Sequence, residues 1–584
     1  MAFDVVAASY RQRAREYTPL GRTVVTGALC GGIAVFTALI GLLEMLNGRW
    51  IVADRLTLAH TLLLLLALTA GYYTVRKTAA GGAVAVAQGL CAGAIAGVVL
   101  AALLLFMTYV DARGMFIALR PTLRVLLSFG EEPWAGAGLL VLGGGAVGLV
   151  GALLEMLPEI ARRAVIAGLA AAGLVGLFQE LLQLMLSREG VLLDIRQALF
   201  TWDGMKSGTA VGIVLVVGGL RAAWLANRVR LNAGWERLRW GQQVALRSIG
   251  IALGLLVLLA FPLFAGNFIG QVLMLVGLYV LMGMGLNLEV GLAGLLDLGF
   301  VAFFAVGAYT VALLTADSPF ALAHWSFWEA LPVAVVAALV VGVLFGVPVL
   351  KVRGDYLAVA TMGLGEIVRV IVLSDMASPL LAGAQGVLNI PRPAIGTYRL
   401  GDPVQLFYLT LACALCAAFV AWRLENSRLG RAWTAIRDDE DVAQALGINL
   451  VNVKLLAYGL GAAFAGVAGA IFAVMLGSIY PHSFQLLISI NVMALIIVGG
   501  MGSLPGVVAG AAALIGIPEL LREFGEFRFL FYGLVIVVMM RLKPSGLWPS
   551  AAHKREMRIL VEAQAAIEAE LHRRPAQAAR ADGE

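Results

Sequence analysis

Long apolar runs separated by short polar segments set the pattern of this chain. Runs of about 17 to 25 residues, the length that crosses a hydrocarbon core of roughly 30 Å, recur from Thr23 to Arg541. Before Arg247 they fall near residues 24–43, 59–75, 81–109, 136–156, 164–187 and 207–226. About ten more fit after it, several of them short or interrupted. Small residues recur four apart, as in Gly144/Gly148 and Ala462/Gly466/Ala470, a spacing that lets membrane helices approach closely. The predicted fold is all-α: a polytopic transmembrane helical bundle with broken and short helices.

Polar stretches divide the runs into parts. Asn227 to Arg247 is the first strongly polar segment and a natural boundary, giving a membrane region over 1–240, a second over 241–550 and a tail over 551–584. Within the second region, Arg423 to Asn449 forms a polar island between two apolar runs. Such a segment cannot lie in lipid. Leu429, Trp433, Ile436, Val442 and Leu446 recur at roughly helical spacing, which predicts one or two short amphipathic helices at the membrane surface with those residues as an apolar stripe. Two readings fit the island: a solvated loop, or a surface offered to a soluble partner.

Polar residues also interrupt the apolar runs themselves. Asn287, Glu289, Gly291, Gly294 and Asp297 break the stretch from Gly277 to Leu314. A break in lipid is tolerable only where it lines protein or a water-filled path, and broken helices of this kind mark substrate routes in transporters. A tight loop with Asn287 and Asp297 capping helix ends is the other reading. Further on, Asp355 is placed as an N-cap, and Glu366 and Arg369 stand three apart, spaced to pair on one helix face. Pro391 and Pro393 around Arg392 predict an ordered loop over Gly383–Pro393, and Val498–Gly506 reads as a helix-packing or re-entrant turn. Candidate translocation-path residues are Asn287, Gly294, Asp297, Glu366 and Arg369.

Composition sharpens the class. The chain of 584 residues is 61% hydrophobic and 13% charged, with a mean hydropathy of +0.91. This places it outside the soluble globular proteins. Arg11, Arg13, Arg15 and Arg22 precede the first run without a cleavable signal pattern, so the amino terminus is expected inside. Arg76/Lys77, Arg162/Arg163, Arg221 to Arg247, Lys351/Arg353, the island and the tail after Arg541 then fall on the same cytoplasmic side. Arg113, Arg120 and Arg124 lie on the outer side, where Tyr109–Trp134 is expected to hold an interfacial helix. The net charge of +6 reflects topology and anionic lipid rather than nucleic acid.

Candidate chemistry is sparse. No GxxxxGK[ST] sequence occurs, so nucleotide energy would have to arrive through another subunit. Cys413 and Cys416 form a CxxC inside an apolar run, where one helical turn places two small side chains together, and the histidines are scattered. No metal site, cofactor or catalytic constellation is predicted, and the chain is not read as an enzyme. In the first region only Glu155, Gln179, Glu180 and Gln183 interrupt the spans. Glu155 is expected at a helix end beside Pro158, and Glu180 in a polar contact within the bundle.

Five blocks, GLNLEVGLAGLLDLGFVAFFAVGAYT, LKVRGDYLAVATMGLGEIVR, GAQGVLNIPRP, SRLGRAWTAIRDDEDVAQALGIN, and IVGGMGSLPG with the RLKPSGL end, follow one another across about residues 248–547. Together they resemble the LivM-type permease subunits of branched-chain amino acid ABC importers. The resemblance implies an inner-membrane subunit, and the basic residues before the first run and after Arg541 put both termini on the cytoplasmic side. The resemblance also implies a second related permease, separate cytoplasmic ATPases and an extracytoplasmic substrate-binding protein as partners. It makes the island a coupling helix docking into an ATPase, with Gly430, Arg431, Ala435, Arg437, Asp438, Ala443, Gly447 and Ile448 matching the family pattern. Related permeases for urea and short amides, and a stand-alone secondary transporter driven by a mid-membrane carboxylate such as Glu366, are the alternatives. Leu295, Leu296 and Asp297 and the GAQGVLNIPRP loop depart from the family pattern where substrate or binding protein could be sensed. Residues 1–240 have no counterpart in the resemblance. In the tail, Met557, Leu560, Val561, Ile567 and Leu571 form an amphipathic stripe before an end expected to be disordered.

Overall fold

The computed structural model describes residues 19–550 except 79–80, 112–113, 115, 117, 188–190, 237–239, 350–351 and 353, and of the tail only 555, 559 and 563. The tail stripe, the arginines before residue 18 and the Lys351/Arg353 pair lie outside the described residues. The fold is an all-α polytopic bundle. Among the described residues, 12 helices are long and apolar enough to cross a membrane, or up to 13 with one bent pair. The chain divides into two compact units between Leu255 and Leu256.

The first unit is built from α1 (Pro19–Leu39), α2 (Leu58–Thr78), α3 (Gly82–Tyr109), α4 (Pro133–Met156), α5 (Glu159–Leu177) and α6 (Ser207–Glu236). Glycine decides how α3 and α4 meet. A Cβ on Gly93 would overlap the Gly144 carbonyl, and one on Gly148 would lie 2.8 Å from the Gly93 Cα, so the two backbones are in direct contact. A two-stranded hairpin, β1 (Trp50–Val52) with β2 (Leu56–Thr57), connects α1 to α2 through a short helix and is held by Met205, whose carbonyl accepts the Ala53 N–H at 3.0 Å. Glu180 pairs with Arg49 at 3.2 Å and Gln179 donates to the Trp50 carbonyl, so this polar patch clamps the hairpin. Glu155 lies in the last turn of α4 and pairs with Arg162 at 2.7 Å. The stretch from Tyr109 to Trp134 holds one short helix, Pro121–Ser128, which buries Leu123, Leu126 and Leu127, and Trp134 donates to the Tyr109 hydroxyl at 3.1 Å.

The second unit follows α7 (Trp240–Ala265). It comprises α8 (Asn267–Leu286), α9 (Val301–Thr315), α10 (Phe327–Val349), α11 (Asp355–Leu373), α12 (Pro403–Glu425), the island, α15 (Leu450–Leu476) and α16 (Leu486–Gly499). The bent pair Leu504–Leu520 and Arg522–Leu542 turns by 118°. The island holds α13 (Arg428–Asp438) and α14 (Glu440–Ala445). α15 is the spine of this unit: α8, α9 and α10 all pack on it, and Phe303 stacks edge-on to Tyr458 at 5.3 Å. Among the described residues, six long spans and the bent pair follow Arg247, with α9 as a shorter apolar helix between them. α11 begins at Asp355 itself, after Gly354 at φ +64°, so Asp355 is its first residue and not its N-cap. The Gly383–Pro393 loop is ordered: Val387 exchanges backbone hydrogen bonds with Ile479, and a hairpin of β3 (Ala394–Ile395) and β4 (Tyr398–Arg399) follows it.

Candidate functional site

The apolar run of α8 does not end at its polar residues but widens into a π-helical turn, Asn287–Leu292. π-helical turns inside α-helices recur at functional positions. Every residue of this turn is buried. Asn287 takes the C-cap position of α8, its N–H bonding back to the Gly283 carbonyl, and its Oδ1 accepts the Gly502 N–H at 2.8 Å, joining this break to the glycine-rich turn after α16. Gly291 sits in that junction, where an added Cβ would lie 2.7 Å from the Gly502 nitrogen.

From Ala293 to Phe300 the chain is irregular, and side chains from other helices complete its hydrogen bonding. Thr361 of α11 accepts the Leu298 N–H at 3.0 Å, and Ser489 of α16 accepts the Val301 N–H at 2.9 Å. Asp297 accepts the Gly299 N–H through Oδ1 at 2.6 Å, which closes the turn before α9 without capping it. The break is therefore lined by protein on the described sides, as an interrupted membrane helix requires.

Two carboxyl groups remain inside. Glu289 and Asp297 are each 0% exposed and lie close enough to interact, with Tyr458 of α15 facing both. Among the described residues, both Glu289 oxygens, Asp297 Oδ2 and the Tyr458 hydroxyl have no hydrogen-bond partner. The Glu289 carboxyl rests on the bare backbone of Gly461, where a Cβ would overlap it. Glu289 is the functional candidate that sequence spacing underweighted: it was visible as an acid in an apolar run, but its burial depends on Gly461, far away in the chain.

Glu366 and Arg369 do pair on α11, and this ion pair is not part of that cluster. Glu366 is half-exposed, while Arg369 lines a narrow cleft with Tyr309, Gly365 and Phe484. Of the path candidates, Asn287, Gly294 and Asp297 thus lie along one interrupted stretch, against Gly502, Arg437 and Glu289 respectively, and Arg369 flanks α9.

The island is tied to this break. Ser427 caps α13 by accepting the Leu429 and Gly430 N–H groups, and Asp439 caps α14 by accepting those of Asp441 and Val442. Gly430 packs on the end of α12, where a Cβ would lie 2.5 Å from the Leu424 carbonyl. Trp433 is fully buried and donates to the Val453 carbonyl at 2.8 Å, and Lys454 pairs with Glu440 at 2.6 Å. Arg437 donates to the Gly291 carbonyl at 2.6 Å, its stem lying over Gly294, which holds φ +73°. Asp438 lies 3.6 Å from the same guanidinium.

Most of the island's family-pattern residues are scaffolding. Ala435 accepts the Asp439 N–H, Ala443 is buried and accepts the Ile448 N–H at 3.1 Å, and Gly447 at φ +87° ends α14; Arg431 is exposed. The predicted apolar stripe splits here. Leu429, Trp433 and Ile436 face the protein, but Val442 and Leu446 are 55% and 77% exposed, because the bend at Asp439 turns α14 over and buries Ala443 instead.

A family model described as branched-chain amino acid transport system, permease component, matches residues 268–541. The high-affinity branched-chain amino acid transport system permease protein LivM of Escherichia coli is 38% identical over 335 residues, covering 53% of this chain and 76% of that protein. The chain belongs to this permease family. LivM of Salmonella typhimurium is 37% identical to the permease, covering 50% of it and 73% of that relative. LivH of E. coli is 23% identical, covering 46% of the permease and 90% of LivH. No solved structure matches. The matched residues contain the π-helical turn, the buried carboxyl groups and the whole island, so the site lies inside the family's common part, and the chain is a multi-pass membrane protein.

Proposed function

We propose that this permease is the membrane-crossing subunit of an ATP-driven importer of branched-chain amino acids, with ATP hydrolysed by separate subunits that dock on the island. The observation that carries this reading is the exposed pair Val442 and Leu446, presented by α14 and its C-cap, which Lys454 ties to α15 through Glu440 and which follow α13, itself fixed by Trp433 and Arg437. Apolar side chains on a charged helix outside the lipid fit a cleft on a soluble protein, and the Arg437 bond passes movement of the island, through α13, to the broken span. Coupling requires that the contacts differ between the open and closed states of the ATPase. The path is assigned to Asn287, Gly294, Asp297 and Glu289, with Arg369 beside it. The half-exposed Glu366 face of α11 is assigned to the second permease. The island and both termini are placed on the cytoplasmic side, and an extracytoplasmic binding protein delivers substrate.

Affinity purification of the tagged chain from its native membranes, with mass spectrometry of what is retained, tests the assembly. Retention of P-loop ATPases and a second permease supports it. A chain that comes out alone, in detergents that keep another ABC complex whole, overturns it and leaves a stand-alone carrier. Uptake of leucine, isoleucine and valine measured against urea in the reconstituted complex then decides the substrate class.

A further inference from the structure

The first unit lies outside the family match and contains a cavity of its own. Between α1, α2, α3 and α4 is a space of about 370 Å³, within the usual range for small-molecule sites. Its walls are apolar along most of their length and come from residues such as Ala34, Leu63, Leu100 and Leu140. Polar groups gather at one end, where Arg55 of the hairpin turn and His60 at the start of α2 stand beside Phe129. Phe129, held at φ +55°, stacks on the His60 ring with centroids 5.8 Å apart. His60 Nδ1 is bonded to the Thr57 hydroxyl at 2.7 Å, which fixes the ring and leaves Nε2 unbonded among the described residues. Arg55 makes no ion pair among the described residues.

This distribution has a specific meaning in a bilayer. An apolar space of this size is strongly disfavoured when empty, and acyl chains are the apolar material at hand. A guanidinium and an imidazole nitrogen at one end fit a negative charge. We propose that this cavity binds an acyl-chain amphiphile with an anionic head group, the chain lying among the four helices and the head held by Arg55 and His60. The site gives the first unit a ligand of its own, separate from the translocation path.

Native mass spectrometry of the full-length protein, titrated with palmitate and with phosphatidylglycerol, tests this. Gly143 lines the cavity, and a Cβ there meets nothing within 4 Å, so Gly143→Phe fills the space without a backbone clash. Gly138 on the same helix is equally open and lies outside the cavity, which makes Gly138→Phe the control for added bulk. The expected result is tight retention by the wild type and Gly138→Phe, and at least tenfold weaker retention by Gly143→Phe. Arg55→Ala should weaken binding about tenfold, the worth of one charge-assisted hydrogen bond. Preference for palmitate identifies a free carboxylate as the head, and preference for phosphatidylglycerol a lipid phosphate; either supports the site. Equal retention by all four proteins, no retention by any, or equal binding of a neutral dodecanol probe overturns it.

Discussion

The guanidinium of Arg437 donates a 2.6 Å hydrogen bond to the carbonyl of Gly291, joining the island to the π-helical turn that follows α8. No covalent path shorter than 146 residues connects these positions. The bond therefore makes a surface helix and a broken membrane span into neighbours, and it reaches a carbonyl that the widened turn leaves available. Mechanical coupling between island and path is expected to run through it.

Arg437→Ala should remove a charge-assisted bond, a loss of about 1.5 to 3 kcal/mol, without disturbing the caps at Ser427 and Asp439. Basal ATP hydrolysis by the assembled complex should persist while substrate-stimulated hydrolysis and uptake fall at least tenfold. Reconstitution in proteoliposomes measures both. Arg437→Lys should recover only part of the loss, since an ammonium cannot reproduce the planar geometry. Full transport by Arg437→Ala would take this residue out of the mechanism.

The Glu289 carboxyl sits among Asp297, Tyr458 and the backbone of Gly461 without a hydrogen bond among the described residues. An amide keeps the shape of the carboxyl and offers Asp297 the same kind of donor as its protonated form. Glu289→Gln should therefore change stability by less than about 1 kcal/mol, leaving the melting temperature in detergent within a few degrees of wild type. Gly461→Ala should instead destabilise by about 1 to 3 kcal/mol through overpacking. In a double-mutant cycle its cost should shrink beside Glu289→Ala, with a coupling of at least about 0.5 kcal/mol. Additive effects would show that the two residues do not share the space.

Trp433 anchors α13 by burial and by one hydrogen bond, and the two contributions separate by substitution. Trp433→Phe loses the bond to Val453, about 1 kcal/mol, whereas Trp433→Ala should cost about 3 to 5 kcal/mol. Proteolysis within residues 428–446, followed over time on purified protein, should be faster in the order alanine, phenylalanine, wild type. An unchanged rate in the alanine variant would mean that the island is held elsewhere.

Glu366 pairs with Arg369 and remains half-exposed, which suits a contact surface better than an ion-coupling site. Glu366→Gln should leave ATP-dependent uptake within about threefold of wild type, well below the tenfold that 1.4 kcal/mol represents. It should also weaken retention of the second permease during purification. Abolished uptake with the assembly intact would return Glu366 to the path.

Apolar run length made the bundle legible because a span needs only length and hydropathy, both local properties. The island was readable as a segment that must fold outside lipid because its polarity is a local property; its caps at Ser427, Asp439 and Asn449, which act within three residues of themselves, emerged with the structure. Val442 and Leu446 could not be placed by periodicity, because the Asp439 bend restarts the helical phase and turns them outward. The π-helical turn was equally hidden. Its stability depends on Asn287 reaching Gly502 and on Thr361 and Ser489 bonding the chain beyond it, partners 63 to 215 residues away. Asp297 suggested a helix cap by residue type, but it lies three residues before Phe300, the N-cap of α9, and its bond to Gly299 closes the turn ahead of the helix.

The bond from Asn287 to Gly502 also bears on how many parts this membrane unit has. The Gly502 turn is itself pinned by the chain end, where the Leu547 and Trp548 N–H groups bond the Val498 and Gly499 carbonyls at 2.8 Å. The end of one span, a turn between two helices packed side by side and a terminal segment therefore meet in one place. A tilt of any one of them has to move the other two, so stiffening this junction should slow a rearrangement of the bundle while leaving the space for substrate unchanged.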